Sequence, residues 1–332
     1  MIIRQKSHPR AALVGNPSDG YFGKTIAFLF KNFSVEIVLY ETPELAILPN
    51  QRDHSVFASM DALVKDVLLY GYYGGIRLLK AAIKQFHDYC RSESIPLHEK
   101  NFTLRYESNI PHQVGLAGSS AIVTACMRAL CEFYGVEIPP PILANLVLSV
   151  ENEELSISAG LQDRVAQVYG GVVYMDFDKA AMERQGYGHY ESLDPAILPP
   201  LYLAYDASLA ERSDVFHNNI RERFERGEPE VVEAMRFWAE LTDQVRDGLM
   251  KKAETGSIGH LLNANFDKRR EIYKLSDRNV AMVNTAREVG ASAKFSGSGG
   301  AIVGTYEDET MFQRLQDVFE PMNIKVFKPQ IV

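Results

Sequence analysis

Alternation of apolar and polar residues predicts several short strands. Residues 10–15 form an apolar run that ends in a turn rich in Gly, Asn, Pro and Asp. Residues 33–40 and 102–107 alternate and are rich in β-branched and aromatic side chains, as strands usually are. Further strands are predicted at residues 172–176, 201–205, 301–305 and 324–327.

Apolar residues at helical spacing predict helices between these strands. They recur from Ile122 to Phe133, directly after a Gly- and Ser-rich loop, and three prolines at 139–141 start the next predicted helix. Residues 61–89 are also largely helical in pattern, with an interruption at 71–75. Because strands and helices do not alternate strictly, we expect two α+β domains, with a boundary in the polar stretch 184–200.

Length and composition fit this expectation. A chain of 332 residues is long enough for two domains, and 46% hydrophobic with 23% charged residues is a globular composition. The net charge of −8 disfavours nucleic acid and anionic membranes as partners, so an anionic substrate would need a local basic pocket. Three cysteines, no signal-peptide pattern and no apolar run of about 18 residues predict a cytoplasmic protein. The sequence does not predict the oligomeric state.

The loop that opens the helix at 122–133 is the strongest chemical signal. Phosphate groups need several converging backbone N–H donors, glycine lets the backbone approach closely, and the helix dipole attracts the anion. The loop is not a Walker motif, because no Gly-Lys-Ser/Thr ends it. The alternative is a plain capped helix with Ser119 or Ser120 as the cap. The candidate phosphate-binding residues are Gly115, Leu116, Ala117, Gly118, Ser119 and Ser120.

Two carboxylates twelve residues apart suit phosphoryl transfer, which needs a proton acceptor and oxygen ligands for Mg²⁺. Glu151 ends an apolar helix and Asp163 follows a Gly turn, so neighbouring elements could bring them together. Arg10 could neutralise developing negative charge, and Asp19 could accept hydrogen bonds from sugar hydroxyls. The alternative for Glu151 is a solvated helix end. Arg10 could instead be a surface charge, and Asp19 could be an ordinary turn residue. A second Gly-rich turn at 296–300 could press against a ligand or could simply enter a strand.

Other chemistries lack a pattern in this sequence. No pair of His or Cys residues has the spacing of zinc ligands. No Gly-x-Ser-x-Gly turn places a hydrolase nucleophile either.

Taken in order, these segments resemble the GHMP kinase superfamily, whose three motifs are matched at residues 9–19, 111–121 and 294–300. Within the superfamily, the amino-acid sequence resembles that of the glucuronokinases over nearly the whole chain. The strings that carry this likeness are residues 15–24, 71–79, 109–111, 159–171 and 265–267.

The resemblance implies a two-domain GHMP kinase fold of the α+β class. An N-terminal domain at 1–190 would carry the ATP-phosphate loop, and a ferredoxin-like domain would follow at 191–332. Ser120 and Glu151 would bind Mg²⁺, while Asp163 would take the acceptor proton with Arg10 beside it. The residues that would contact the substrate are Asn16, Asp19, Tyr21, Lys24, Ser298 and Gly299.

One departure from galactokinases points to the acceptor. Galactokinases have a glutamate where this chain has Asn16. An uncharged residue there would not repel the C6 carboxylate of a sugar acid. Lys24, a turn later, could pair with that carboxylate. The resemblance therefore implies an ATP-dependent kinase that phosphorylates the anomeric hydroxyl of D-glucuronate. Two alternatives stay open: another GHMP kinase acting on galacturonate, a heptose or another small acceptor, and a non-catalytic ATP-binding regulator. The presence of Arg10, Ser120, Glu151 and Asp163 argues against the regulator.

Overall fold

The computed structural model describes residues 1–49, 53, 74–206 and 220–332. Its strands, in chain order, are β1 Ile2–Ser7, β2 Arg10–Val14, β3 Lys24–Leu29, β4 Val35–Thr42, β5 Ala46–Leu48, β6 Asn101–Ser108, β7 Val172–Asp176, β8 His189–Leu193, β9 Leu201–Tyr205, β10 Lys294–Phe295, β11 Ala301–Thr305 and β12 Lys325–Phe327. The α-helices are α1 Gly75–Ser92, α2 Gly118–Tyr134, α3 Pro140–Ser149, α4 Gln162–Tyr169, α5 Lys179–Gln185, α6 Pro229–Met250, α7 Thr255–Ile272, α8 Asp277–Glu288 and α9 Glu309–Phe319.

The described residues form two compact units, each built from separate stretches of the chain. The first unit comprises Met1–His8, Phe33–Ile110 and Gly118–Ala159. Its sheet has the order β1-β4-β6-β5, with β5 parallel to β6 and the other pairs antiparallel. Helix α2 packs on β1 and β4 through small and apolar side chains, because its buried face recurs at helical spacing.

The second unit comprises Pro9–Asn32, Pro111–Ala117 and Gly160–Val332, and it contains two antiparallel sheets. One has the order β2-β3-β7-β8 and carries α4 and α6 against β3. The other has the order β10-β11-β9-β12, and its apolar side chains form a core with those of α7, α8 and α9. The third helix of this set is amphipathic, so its apolar stripe closes that core.

Most predicted elements are present, and the α+β class is confirmed. The runs at 10–15, 33–40, 102–107 and 324–327 correspond to β2, β4, β6 and β12, and three further predicted strands match β7, β9 and β11 to the residue. Residues 61–73, in the first part of the predicted helix at 61–89, lie outside the described residues, and 75–92 is helical.

The stretch 184–200 was expected to be a boundary but contains β8, which pairs with β7 along its whole length. The proposed division of the chain at residue 190 stays a prediction. All three cysteines are free thiols. None of the described helices combines the length and the apolar character that crossing a bilayer would require.

The turn after β2 is shaped by Gly15, which has a φ of +90°. A Cβ at this position would lie 2.1 Å from the Lys24 carbonyl oxygen and 2.3 Å from the Thr242 hydroxyl. The Gly15 N–H donates to Asn265 Oδ1 at 2.7 Å, and Asn265 Nδ2 donates to the Asn16 carbonyl at 3.1 Å. The turn thus requires glycine, and one buried amide from α7 fixes its backbone.

We therefore expect Gly15→Ala to destabilise the fold by about 3 kcal/mol or more, since the new Cβ meets backbone and the φ is strained. Gly20→Ala is the matched control, because nothing lies within 4 Å of a Cβ there. Urea denaturation of both variants measures the difference. Equal midpoints would show that the turn is not as closely packed as described.

Candidate active site

Arg10 lies at the start of β2 with only 5% of its surface exposed, and its guanidinium has partners on three sides. Nε donates to Asp163 Oδ1 at 2.7 Å, and Nη2 lies 2.5 Å from the same oxygen. Nη1 donates to the carbonyls of Gly115 at 3.1 Å and Ser296 at 2.6 Å. A buried guanidinium requires such partners because desolvation is costly. Arg10 thereby joins a carboxylate to two Gly-rich turns that are far apart in sequence.

Asp163 stands in the first turn of α4, where the helix dipole favours a negative charge. Its side chain is 19% exposed, so one part faces Arg10 and another part stays accessible. Arg164 Nη1 lies 3.5 Å from Oδ2 and also donates to the Gly160 carbonyl at 2.8 Å. Asp163 is therefore an oriented and accessible carboxylate, which is the arrangement that a proton acceptor requires.

The loop before α2 has positive φ values at alternate residues: Gln113, Gly115 and Ala117. Left-handed residues that alternate with right-handed ones make successive N–H groups converge on an anion, and the positive φ values supply the left-handed positions of such an arrangement. A Cβ on Gly115 would lie 2.9 Å from the Gly299 carbonyl oxygen, so the first glycine also permits close approach of the second Gly-rich turn.

The carbonyls of this loop face the interior of the second unit. The Gly115 carbonyl accepts from Arg10 Nη1, and the Leu116 carbonyl accepts from the Arg10 N–H at 3.2 Å. Gln167 Nε2 donates to the Ala117 carbonyl at 2.8 Å. In a trans peptide the next N–H points opposite to the carbonyl. The N–H groups of Leu116, Ala117 and Gly118 are therefore turned away from these donors.

The second Gly-rich turn, residues 296–300, is held through its carbonyls. Arg269 donates to the carbonyls of Gly297 at 2.9 Å and Ser298 at 3.2 Å. Gly297 lies against the first loop, since a Cβ there would be 2.2 Å from the Gly115 carbonyl oxygen. Ser298 is partly exposed and Gly299 is buried. The turn is thus rigid, with one partly exposed serine.

Asn16 also holds this turn, which bears on the substrate argument. Its Nδ2 donates to the carbonyls of Phe295 and Gly297, each at 3.3 Å. A glutamate here would bring a negative charge against two carbonyl oxygens instead of donating to them. In this chain the uncharged donor at position 16 therefore has a structural role in the turn, whatever the substrate is.

Asp19 lies on the 3₁₀ turn Ser18–Tyr21 and is partly buried. Its carboxylate lies so close to Gly160 that a Cβ there would be 2.5 Å from Asp19 Oδ2. Burial, together with the negative charge of Asp163, raises its pKa to about 6, although Arg10 opposes the shift. Two carboxylates thus share one arginine.

Two buried side-chain oxygens of residues near this turn lack a hydrogen-bond partner among the described residues: Asn16 Oδ1 and Gln162 Oε1. Asn16 lies three positions before Asp19, and the backbone of Gln162 acts on the Asp19 carboxylate. Buried polar atoms are normally paired, so a polar ligand could satisfy these oxygens.

Tyr21 and Lys24 flank the same turn. Tyr21 is buried, and its ring packs edge-on against Phe224 at 5.1 Å. Lys24 Nζ pairs with Asp243 Oδ2 at 2.7 Å and Asp176 Oδ2 at 3.4 Å. Burial alone would lower the pKa of Lys24, but these two carboxylates raise it above its usual value. The ammonium is thus already neutralised, so a substrate carboxylate has little to gain from it.

The predicted Mg²⁺ residues belong to the first unit. Ser120 is fully buried in the first turn of α2, and Glu151 is 2% exposed in the π-helical turn that follows α3. Their oxygen atoms are donors of the kind that Mg²⁺ prefers. No cluster of three or more His, Cys, Asp or Glu side chains suited to a metal occurs in the described part of the chain. Mg²⁺ uses few protein carboxylates, so one hydroxyl and one carboxylate are a donor set of the kind that it takes, and the assignment of Ser120 and Glu151 stays a prediction.

Sequence reasoning missed the side chains that support this site. Asn265 and Arg269 lie four residues apart on α7, which places both on the face toward the two turns. Lys294 is 1% exposed and donates to the carbonyls of Ala12 and Phe295, each at 2.7 Å. Burial, then Arg269 and Arg10, lower its pKa well below the usual range. Asn265 and Lys294 lie in the segments 265–267 and 294–300 that carry the family resemblance, but the sequence assigned no role to their side chains.

Comparison with known proteins identifies the family. Residues 77–171 match the family described as GHMP kinases N terminal domain. "Probable glucuronokinase 2" of Arabidopsis thaliana is 45% identical over 309 residues, which are 91% of this chain and 84% of that protein. The chain belongs to the GHMP kinase family. "Glucuronokinase 1" of the same plant is 43% identical over 307 residues, again 91% of this chain and 84% of that protein.

A solved GHMP kinase has the same fold. The galactokinase of Lactococcus lactis, solved as a complex with galactose, superimposes with a TM-score of 0.76 at 14% identity, covering 99% of this chain and 93% of that one. The predicted GHMP kinase fold is thereby confirmed.

The raised pKa of Asp19 predicts how stability depends on pH. The pKa of Asp19 is about 6 in the folded state and 3.8 in the unfolded state, so the folded state binds the proton more tightly. The free energy of unfolding therefore decreases as the pH rises from about 4 to about 6. Asp19→Asn should therefore be more stable than the wild type at about pH 8, by on the order of 2 kcal/mol, and equally stable near pH 4.

Thermal unfolding at both pH values measures this difference. Asp267→Asn is the control, since that carboxylate is half exposed and paired with Arg287. A wild type more stable than Asp19→Asn at about pH 8 would contradict the assigned burial.

Proposed function

We propose that this GHMP kinase transfers the γ-phosphoryl group of ATP to the anomeric hydroxyl of D-glucuronate, giving D-glucuronate 1-phosphate and ADP. The observation that carries the proposal is the single guanidinium of Arg10 between Asp163 and the Gly115 loop. It joins a candidate proton acceptor to a candidate phosphate site. Glucuronate is favoured as the acceptor because the chain is 43–45% identical to two proteins named for that activity.

Each role follows from a position described above. The outward N–H groups of Leu116, Ala117 and Gly118 would bind phosphate oxygens, with Ser119 continuing the loop into α2. Ser120 and Glu151 would hold Mg²⁺, which supplies charge neutralisation on the phosphates when it is bound. Ser298 and Gly299 would border the reacting groups from the second turn.

Asp163 would accept the proton of the anomeric hydroxyl as that oxygen bonds to the γ-phosphorus. The bond between this phosphorus and the β–γ bridging oxygen breaks, and ADP leaves with that oxygen. Arg10 would hold Asp163 in place and stabilise negative charge nearby. Asp19 would accept hydrogen bonds from sugar hydroxyls, and the unsatisfied oxygens of Asn16 and Gln162 would suit a polyhydroxylated acceptor.

A coupled ADP-release assay with glucuronate, galacturonate, galactose, mevalonate and homoserine tests the proposal. We expect the highest kcat/KM with glucuronate and the new phosphate on the anomeric oxygen, which ³¹P NMR identifies. A higher kcat/KM for another acceptor would overturn the assignment of glucuronate.

The role of Asp163 is tested in the same assay. Asp163→Asn should lower kcat by roughly 10²- to 10⁴-fold, the usual contribution of a general base, and leave ATP binding nearly unchanged. Asp267→Asn serves again as the exposed control and should keep wild-type kcat. An Asp163→Asn variant with near wild-type kcat would show that another group accepts the proton.

A further inference from the structure

A uronic acid needs a cation at its carboxylate end, and the structure disfavours Lys24 for this task. The Lys24 ammonium already contacts Asp243 and Asp176, and Asp243 also accepts from the Tyr174 hydroxyl at 2.6 Å. A third carboxylate would meet two negative charges for one positive charge. The counter-charge for the substrate must therefore come from elsewhere around the turn that carries Asp19 and Tyr21.

The helical segment at 220–225 brings an arginine to this turn. Phe224 packs its ring against Tyr21, and Arg221 lies three residues earlier, which is the same face of the helix. Arg221 is exposed, and its positive charge acts on the Tyr21 hydroxyl. Tyr21 is two residues from Asp19, so Arg221 stands beside the proposed sugar site.

Two neighbours of Arg221 in this segment are already paired with a carboxylate. Arg223 pairs with Glu228 at 2.6 Å, and Arg226 pairs with the same carboxylate at 2.8 Å. In the described part of the chain, no carboxylate lies within ion-pair distance of Arg221. Glu225, in the same segment, also acts on the Tyr21 hydroxyl but forms no ion pair with Arg221 among the described residues. The exposed guanidinium of Arg221 is therefore available next to the proposed sugar site.

The Tyr273 hydroxyl lies beside the same turn. The residue is 6% exposed, and its hydroxyl interacts with the Tyr21 hydroxyl and with the charge of Asp19. Two neighbouring hydroxyls can each donate one hydrogen bond, so this pair could also donate to an oxygen of a bound sugar.

We propose that Arg221 binds the carboxylate of the sugar acid and thereby determines the preference for a uronic acid over a neutral sugar, with the Tyr273 hydroxyl as a further donor to the bound sugar. This inference rests on the proposed function. Asp19 at the hydroxyls and Arg221 at the carboxylate would together orient the sugar. Arg221 is then a specificity-determining residue, because it contacts the carboxylate of the acceptor and does not contact the reacting atoms.

The test compares glucuronate with glucuronamide, its uncharged analogue, as substrates or as competing ligands. Arg221→Met should raise the KM or Ki for glucuronate roughly 10- to 100-fold, the usual loss for a charged hydrogen bond, and leave that for glucuronamide and the KM for ATP unchanged. Arg221→Lys should recover part of the loss. Arg226→Met is the matched control, since Arg226 lies in the same segment and is already paired with Glu228.

The dependence of KM on ionic strength distinguishes an ion pair with the substrate from a purely structural role of Arg221. Added salt should raise the KM for glucuronate in the wild type and have little effect in Arg221→Met, because the screened pair is missing there. Tyr273→Phe should weaken the binding of both sugars. An unchanged KM for glucuronate in Arg221→Met, or an equal loss for the amide, would overturn the inference while the proposed function stands. A wild-type enzyme that does not phosphorylate glucuronate would overturn both the inference and the proposed function.

Discussion

The site depends on one buried cation, the guanidinium of Arg10. It is almost removed from solvent, and its N–H groups are distributed over Asp163, the Gly115 carbonyl and the Ser296 carbonyl. Guanidinium suits this position because its donors are fixed in one plane and its charge is permanent. The same group therefore fixes a carboxylate and ties two glycine turns together. Without it, two carbonyls and one carboxylate would be left facing each other.

The glycine turns are shaped by what surrounds their backbone. Carbonyls of the first loop accept from Arg10 and Gln167, so the following N–H groups point the other way. Carbonyls of the second turn accept from Asn16 and Arg269. The backbone of the proposed phosphate-binding loop is thus fixed by donors that bind its carbonyls on one side. This accounts for the burial of Arg10 and Gln167, whose polar groups serve the loop backbone.

Much of the fold could be predicted from local patterns. Strands with alternating or β-branched residues, such as β4, β6 and β7, stood out, and so did the helix after the Gly-rich loop. Strand β3 was missed because five of its six residues are buried, so it shows no alternation. Strand β8 was missed for the opposite reason, since an exposed polar edge strand resembles a linker.

The candidate site was less predictable, for a geometric reason. Sequence motifs indicated Arg10, Asp19 and Asp163 as separate signals. Arg10, however, contacts Asp163 across 153 positions and Ser296 across 286 positions, so these contacts depend on tertiary packing. Lys24 shows the limit most clearly, since its partner Asp243 lies 219 positions away on α6 and could not be paired with it from the sequence. Charges can be read from a sequence, whereas their neutralisation cannot.

Arg10→Lys tests most directly whether one guanidinium couples the carboxylate to both turns, because lysine keeps the charge but has no planar fork of donors. Hydrogen exchange of the backbone amides at 113–118 and 295–300, measured together with kcat, shows whether the guanidinium orders both turns or only supplies a positive charge. We expect faster exchange in both segments together with a lower kcat in Arg10→Lys, whereas Asp163→Asn lowers kcat with exchange nearly unchanged. Unaltered exchange of both segments in Arg10→Lys would contradict the account.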